Sequence, residues 1–127
     1  MGDKPIAQKL QIKENYKVLL AGGPKVYKAM LADLPPNAVL LDKSSEPVDV
    51  VQVFATSRKD LEAQLPKLIR LLKPKGILWV SYPKGTSKIK SDINRDSIRE
   101  YGQSIGLEAV ALVALDDTWS ALRLKVV

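Results

Sequence analysis

Four short apolar runs in this sequence lead into residues that could do chemistry. Gly22 and Gly23 follow residues 16–21, and Asp42 follows residues 38–41. Thr56, Ser57 and Arg58 come after residues 48–54, while Tyr82 closes residues 77–82, with Lys84, Lys88 and Lys90 beyond it. Glycine at a strand end lets backbone approach a ligand closely. Arg58, Lys84, Lys88 and Lys90 would make a positive rim, and a helix opening at Ser57 would add the partial charge of its N-terminus. Such a rim favours an anion over a neutral or cationic ligand.

Composition excludes much other chemistry. The 127 residues include no cysteine and no histidine. Disulfides, thiolate nucleophiles, imidazole bases and zinc sites built from nitrogen and sulfur are therefore ruled out. A metal would have to be a hard ion held by oxygen. The one acidic pair in sequence, Asp116-Asp117, reads as a turn, so no metal site is expected. Gly22-Gly23-Pro24-Lys25 has neither the length nor the hydroxyl of a P-loop. Trp79 and Trp119 lie in apolar patterns and read as core.

Twenty basic against fourteen acidic residues give a net charge of +6. That balance suits nucleic acid, an anionic surface or a phosphorylated ligand. The lysines are scattered, however, which is the pattern of solvated helix faces. At 6% aromatic residues, a stacking platform for single strands is poorly supplied. Nucleic acid stays as an alternative partner, with the steep salt dependence such binding implies. Met-Gly-Asp-Lys-Pro has no long apolar stretch behind it, as a signal peptide would. Ile6 stands where a myristoylation signal has serine or threonine, and no run is long enough to span a membrane. A soluble cytoplasmic protein with no membrane partner is expected.

The elements that must position these residues follow from periodicity. Residues 16–21, 38–41, 48–54 and 77–82 read as buried strands. Val26, Met30, Leu31 and Leu34 recur at helical spacing after Pro24, which suits a first helical turn. Ser57 with Asp60 predicts a capping box, and Leu61, Leu65, Leu68, Ile69 and Leu72 mark the apolar face of the helix it opens. Pro66 inside that pattern predicts a kink or a split, and Lys73-Pro74-Lys75-Gly76 a stop. A basic loop over 83–94 leads to a helix near 95–105, stopped by Gly106. Residues 108–115 and 119–127 form a closing hairpin. The order β-α-β-β-α-β-α-β-β predicts a single α/β domain over 1–127. It is a Rossmann-like, doubly wound and mostly parallel sheet with an antiparallel C-terminal hairpin.

This order resembles a shortened class I S-adenosylmethionine-dependent methyltransferase. The stretch from Leu10 to Gly22 is similar to the lead-in and glycine motif of those enzymes. The stretch from Leu68 to Leu78 resembles their passage from helix into the fifth strand. A closer likeness is to a small family of uncharacterised bacterial proteins that end in a run similar to Asp116-Asp117-Thr118-Trp119-Ser120-Ala121-Leu122-Arg123. The methyltransferase resemblance implies S-adenosylmethionine as cofactor, held at Gly22 and Gly23, with Asp42 on the ribose hydroxyls. The sequence also departs from the enzymes. Leu20 stands where they carry an acid, and Pro24 and Val26 stand where their next glycines fall. Phe54-Ala55-Thr56-Ser57 replaces the Asp/Asn-Pro-Pro-aromatic motif of those that methylate amino groups, so that catalytic motif is absent.

Three functions are consistent with this. The first is a non-catalytic Rossmann-like domain that binds a protein partner or a small anionic ligand. The second is a divergent methyltransferase, and the third a nucleic-acid-binding protein. In open α/β sheets the site lies at the carboxyl ends of the parallel strands. Gly22, Gly23, Asp42, Thr56, Ser57, Arg58, Tyr82, Lys84, Lys88 and Lys90 are therefore its candidate residues. The final strands also present an edge through which two copies could pair.

Overall fold

The structure, a computed structural model, describes residues 11–21, 34–41, 46–84, 91–115 and 118–126. These carry strands β1 (Lys17–Ala21), β2 (Val39–Leu41), β3 (Val48–Phe54), β4 (Leu72–Pro83), β5 (Leu107–Ala114) and β6 (Trp119–Val126), with helices α1 (Arg58–Ile69) and α2 (Arg95–Ser104). The strands form one six-stranded sheet in the order β2-β1-β3-β4-β6-β5. Pairing is parallel from β2 through β4 and antiparallel from β4 through β6 to β5. The chain therefore has the mostly parallel α/β sheet and antiparallel C-terminal hairpin that its sequence predicts. The predicted helix after Pro24 lies outside the described residues.

Side chains alternate across each strand, and two apolar layers result. Leu19, Val51, Val53, Leu78, Val80 and Tyr82 face Leu61, Leu65 and Leu68 of α1 and Ile98 of α2. Val18, Leu20, Val50, Phe54, Ile77, Trp79 and Ala121 face the other way, with Ile12, Leu115 and Trp119. Phe54 meets Trp119 edge to face, ring centroids 5.1 Å apart. Both tryptophans are buried, as their apolar settings predict. Among the described residues no helix is long and apolar enough to cross a membrane.

Two expectations about the middle of the chain change. First, Pro66 does not split its helix, because α1 runs unbroken from Arg58 to Ile69. A proline lacks the N–H that would bond the carbonyl four residues back, here that of Glu62. The Tyr101 hydroxyl on α2 donates to that carbonyl instead, at 3.4 Å, so the helix breaker is tolerated. Tyr101→Phe should cost about 0.5 kcal/mol. The same change in a Pro66→Ala background, where the N–H is restored, should cost nothing. Urea unfolding of the four chains measures that coupling, and equal costs in both backgrounds would refute it.

Second, Lys73 to Gly76 is not the end of a helix. α1 closes at Arg70, and β4 has begun by Leu72. Val48 pairs with Leu72 but Val50 pairs with Ile77, so 73–76 bulge against the single residue Asp49. The Asp49 carboxylate holds this bulge, accepting from Lys73 Nζ at 3.2 Å and from the Lys17 amide at 2.8 Å. A side chain at Gly76 would stand 2.8 Å from the Lys73 carbonyl oxygen, so the bulge needs glycine for close approach. Gly106, by contrast, has φ +88° and ends α2 as its sequence predicts.

Candidate functional site

The carboxyl ends of the parallel strands lie at Ala21, Leu41, Phe54 and Pro83. From β1 the chain proceeds outward to β2, while β3 and β4 extend the sheet on the other side, so the order reverses between β1 and β3. That reversal is where open α/β sheets leave a crevice. Of the predicted site residues, Thr56, Ser57, Arg58, Tyr82 and Lys84 are described, and all lie at this end. Gly22, Gly23, Asp42, Lys88 and Lys90 lie outside the described residues, as do Asp116 and Asp117.

The turn after β3 is closed by its own hydrogen bonds. The Ser57 hydroxyl accepts from the Asp60 amide at 3.1 Å, the forward half of the expected capping box. The reciprocal bond from Asp60 is not made. Instead Asp92 reaches across from the far loop, its carboxylate accepting from the Arg58 amide at 2.6 Å while its own amide donates to the Thr56 carbonyl at 3.3 Å. An internal carboxylate thus occupies the first donor of α1, where a bound anion was expected to sit. The Arg58 guanidinium pairs with Glu62 at 3.3 Å on the exposed face. Buried Ile93 anchors the loop that carries Asp92.

The end of β4 is arranged differently. The Lys84 amide donates to the Thr118 carbonyl at 2.8 Å, tying the strand end to the hairpin. Tyr82 is only 8% exposed, and it lines an open cavity of ≈ 280 Å³ with Asn94, Arg95, Asp96 and Leu112. Its hydroxyl has no hydrogen-bond partner among the described residues and opens to solvent, since Gln52 Oε1 is the buried unpartnered side-chain atom among them. Burial pushes the Tyr82 hydroxyl above the ordinary tyrosine range. Arg95 acts against that shift and Asp96 adds to it.

This shift gives Tyr82 a signature at alkaline pH. The unfolded chain ionises its tyrosines near pH 10, while folded Tyr82 keeps its proton to higher pH. Its contribution to stability is therefore complete below about pH 10 and is lost as pH rises through the raised folded value. Tyr82→Phe should flatten the fall in unfolding free energy above that pH relative to wild type. Parallel curves for the two proteins would contradict it.

Asn94, Arg95, Asp96, Leu112 and Asp92 were not anticipated as site residues. Asn94 and Ser97 form a full reciprocal cap for α2, with bonds of 2.9 and 2.8 Å. The Asn-x-x-Ser spacing was the available signal, obscured because the usual pattern ends in Glu or Gln. Leu112 is 46% exposed on the edge strand, and only the strand order shows that it lies over Tyr82's face of the sheet.

Among the described residues no group of three or more acidic side chains could hold a metal ion. A second cavity, ≈ 330 Å³, lies at the amino end of the sheet between the end of α1 and the β4 bulge, lined by Ile69, Leu72, Pro74, Gly76 and Val126 among others. Its wall is mostly apolar, and Lys73, its nearest cation to the bulge, is already paired with Asp49.

Among curated proteins, none matches the chain. Solved structures do match it in fold. An S-adenosylmethionine-dependent methyltransferase from Aquifex aeolicus is similar at TM-score 0.66 and 15% identity, over 96% of this chain and 88% of that one. A methyltransferase from Thiobacillus denitrificans in complex with S-adenosyl-L-homocysteine is similar at TM-score 0.62 and 11% identity, over 96% and 90%. A tRNA methyltransferase of B. subtilis is similar at TM-score 0.60 and 12% identity, over 99% and 67%. At these identities the likeness establishes a methyltransferase-like fold. The sequence itself matches a family described as proteins of unknown function, DUF3052, over residues 26–127, and the chain belongs to that family.

Proposed function

We propose that this protein is a non-catalytic, methyltransferase-like domain that binds a small anionic ligand at the carboxyl ends of its parallel strands. One contrast carries the reading. The turn after β3, where the resembling enzymes place a catalytic motif, is closed on itself by Ser57, Thr56 and Asp92. Around the open cavity at the end of β4, by contrast, the Tyr82 hydroxyl and the Arg95 and Asp96 amides have no acceptor among the described residues. Lys84 and Arg95 give that end a positive balance beside Asp96, with Lys88 and Lys90 expected to add to it. A divergent methyltransferase is the second reading, favoured by the fold likeness to cofactor-bound enzymes.

Thermal melts separate the two. A ligand at about 100 times its Kd adds about 2.7 kcal/mol, roughly 10 °C for a chain of this size. Small carboxylates or phosphate should raise the melting temperature, and S-adenosylmethionine and S-adenosylhomocysteine should not. Arg95→Gln with Lys84→Ala should weaken the anion response while leaving the unliganded melt nearly unchanged. A rise with the adenosyl compounds alone would favour the enzyme, and a flat response to every anion would sink the proposal.

A further inference from the structure

We propose that the cavity between Tyr82 and the first turn of α2 is a binding site for small monocarboxylates, an inference that rests on the anion-binding reading above. The cavity measures ≈ 280 Å³, slightly below the range of about 300–1,000 Å³ typical of ligand sites. Its occupant is therefore a few carbon atoms long. Tyr82 is 8% exposed and lines this space, and its hydroxyl is unbonded among the described residues and open to solvent.

The helix start supplies further donors. Asn94 Oδ1 accepts from the Ser97 amide at 2.9 Å, and the Asn94 carbonyl accepts from the Ile98 amide at 3.0 Å. The amides of Arg95 and Asp96, the first two of α2, have no partner among the described residues. They lie at the positive end of a ten-residue helix. α1 differs, because Asp92 already fills its first amide. In α1 the protein provides a carboxylate of its own, whereas in α2 the corresponding position is open among the described residues. A ligand carboxylate there would complete the cap and accept from Tyr82 Oη.

Charge and wall chemistry narrow the class. Arg95 contacts Asp96 through Nε at 3.8 Å, a loose pair that leaves its terminal nitrogens unpaired among the described residues. Asp96 is also 3.7 Å from Arg99. The cavity edge thus carries one carboxylate beside Arg95, and a phosphate dianion would meet that negative charge directly. A single negative charge is matched by the guanidinium. Half-exposed Leu112 forms the apolar wall, which suits a short alkyl tail rather than a sugar.

The test is an amide-resonance titration of the ¹⁵N-labelled full chain with butyrate, with butyramide as the neutral isostere and with inorganic phosphate. Butyrate should shift the Arg95 and Asp96 amides saturably, with a Kd in the millimolar range. Tyr82→Phe, which keeps the ring packing, and Arg95→Gln should each weaken binding by about threefold to tenfold, both with dispersed, folded spectra. Butyramide and phosphate should not saturate these amides. Unmoved amides above about 10 mM butyrate, unchanged affinity in both variants, or tighter binding of phosphate would overturn the proposal. If phosphate raises the melting temperature while these amides stay still, anion binding survives and this site does not. If no anion does either, both fall.

Discussion

Replacing Ile98 with alanine should lower the melting temperature by about 10 °C, the largest effect expected of any change near the proposed site. Ile98 is fully buried, and with Gly102 it makes up the buried residues of α2. Truncating such a side chain costs about 2–5 kcal/mol through lost burial and the cavity left behind. At roughly 3–5 °C per kcal/mol, a loss of about 2.5 kcal/mol, in the lower half of that range, gives that shift. Collapse around the gap is restricted, because a Cβ at Gly102 would already stand 3.4 Å from the Leu107 Cβ. The helix that presents the Arg95 and Asp96 amides is fixed by this contact, so butyrate binding should weaken with it. Val110→Ala on the exposed edge strand should change the melt little. A drop below about 3 °C for Ile98→Ala would show that α2 is held by something else.

A second large effect should come from Ser81→Ala. Gln52 and Ser81 are the buried polar side chains among the described residues, and Gln52 Nε2 donates to Ser81 Oγ at 2.7 Å. Gln52 Oε1 has no partner among the described residues. Removing the hydroxyl would leave both ends of a buried amide unsatisfied, at about 1–3 kcal/mol. Replacing both partners, with Gln52→Leu and Ser81→Ala, should recover most or all of that loss, because no polar group is then stranded. Chemical denaturation of the wild type, the single variant and the double variant reads the three values. A single variant as stable as wild type, or a double variant worse than the single, would contradict this account of the pair.

Much of the fold is legible in the residues because its signals are local. Val48–Phe54 is a strand over the predicted span, and α2 starts at Arg95 and gives way at Gly106. Apolar periodicity and cap chemistry act within a few residues, so one chain suffices to read them. The split at Pro66 and the stop at 73–76 fail for the opposite reason. What rescues the helix is Tyr101, 39 residues away. What turns Lys73-Pro74-Lys75-Gly76 into a bulge is the pairing of β3 with β4 around Asp49.

The site divides in the same way. Strand ends are readable, so the placement of Tyr82 and Lys84 at the end of β4 follows from position alone. The meeting of Tyr82 with Asn94, Arg95 and Leu112 depends on where α2 docks and which strand borders β6. No sequence spacing encodes either. Asp92 likewise acts on Arg58 over 34 residues, so the occupied N-terminus of α1 was invisible until the chain was folded.

A ligand at the carboxyl ends of the parallel strands protects one face of the sheet's edge and leaves the opposite end untouched. Amide hydrogen exchange tests it directly, measured with and without the anion that gives the largest melting shift. Bound ligand should slow exchange at Tyr82 and Lys84 and over the first turn of α2 by suppressing local opening there. Protection confined to the amino end of the sheet, around Ile69 to Gly76 and Lys125, would place the ligand in the opposite cavity and contradict it.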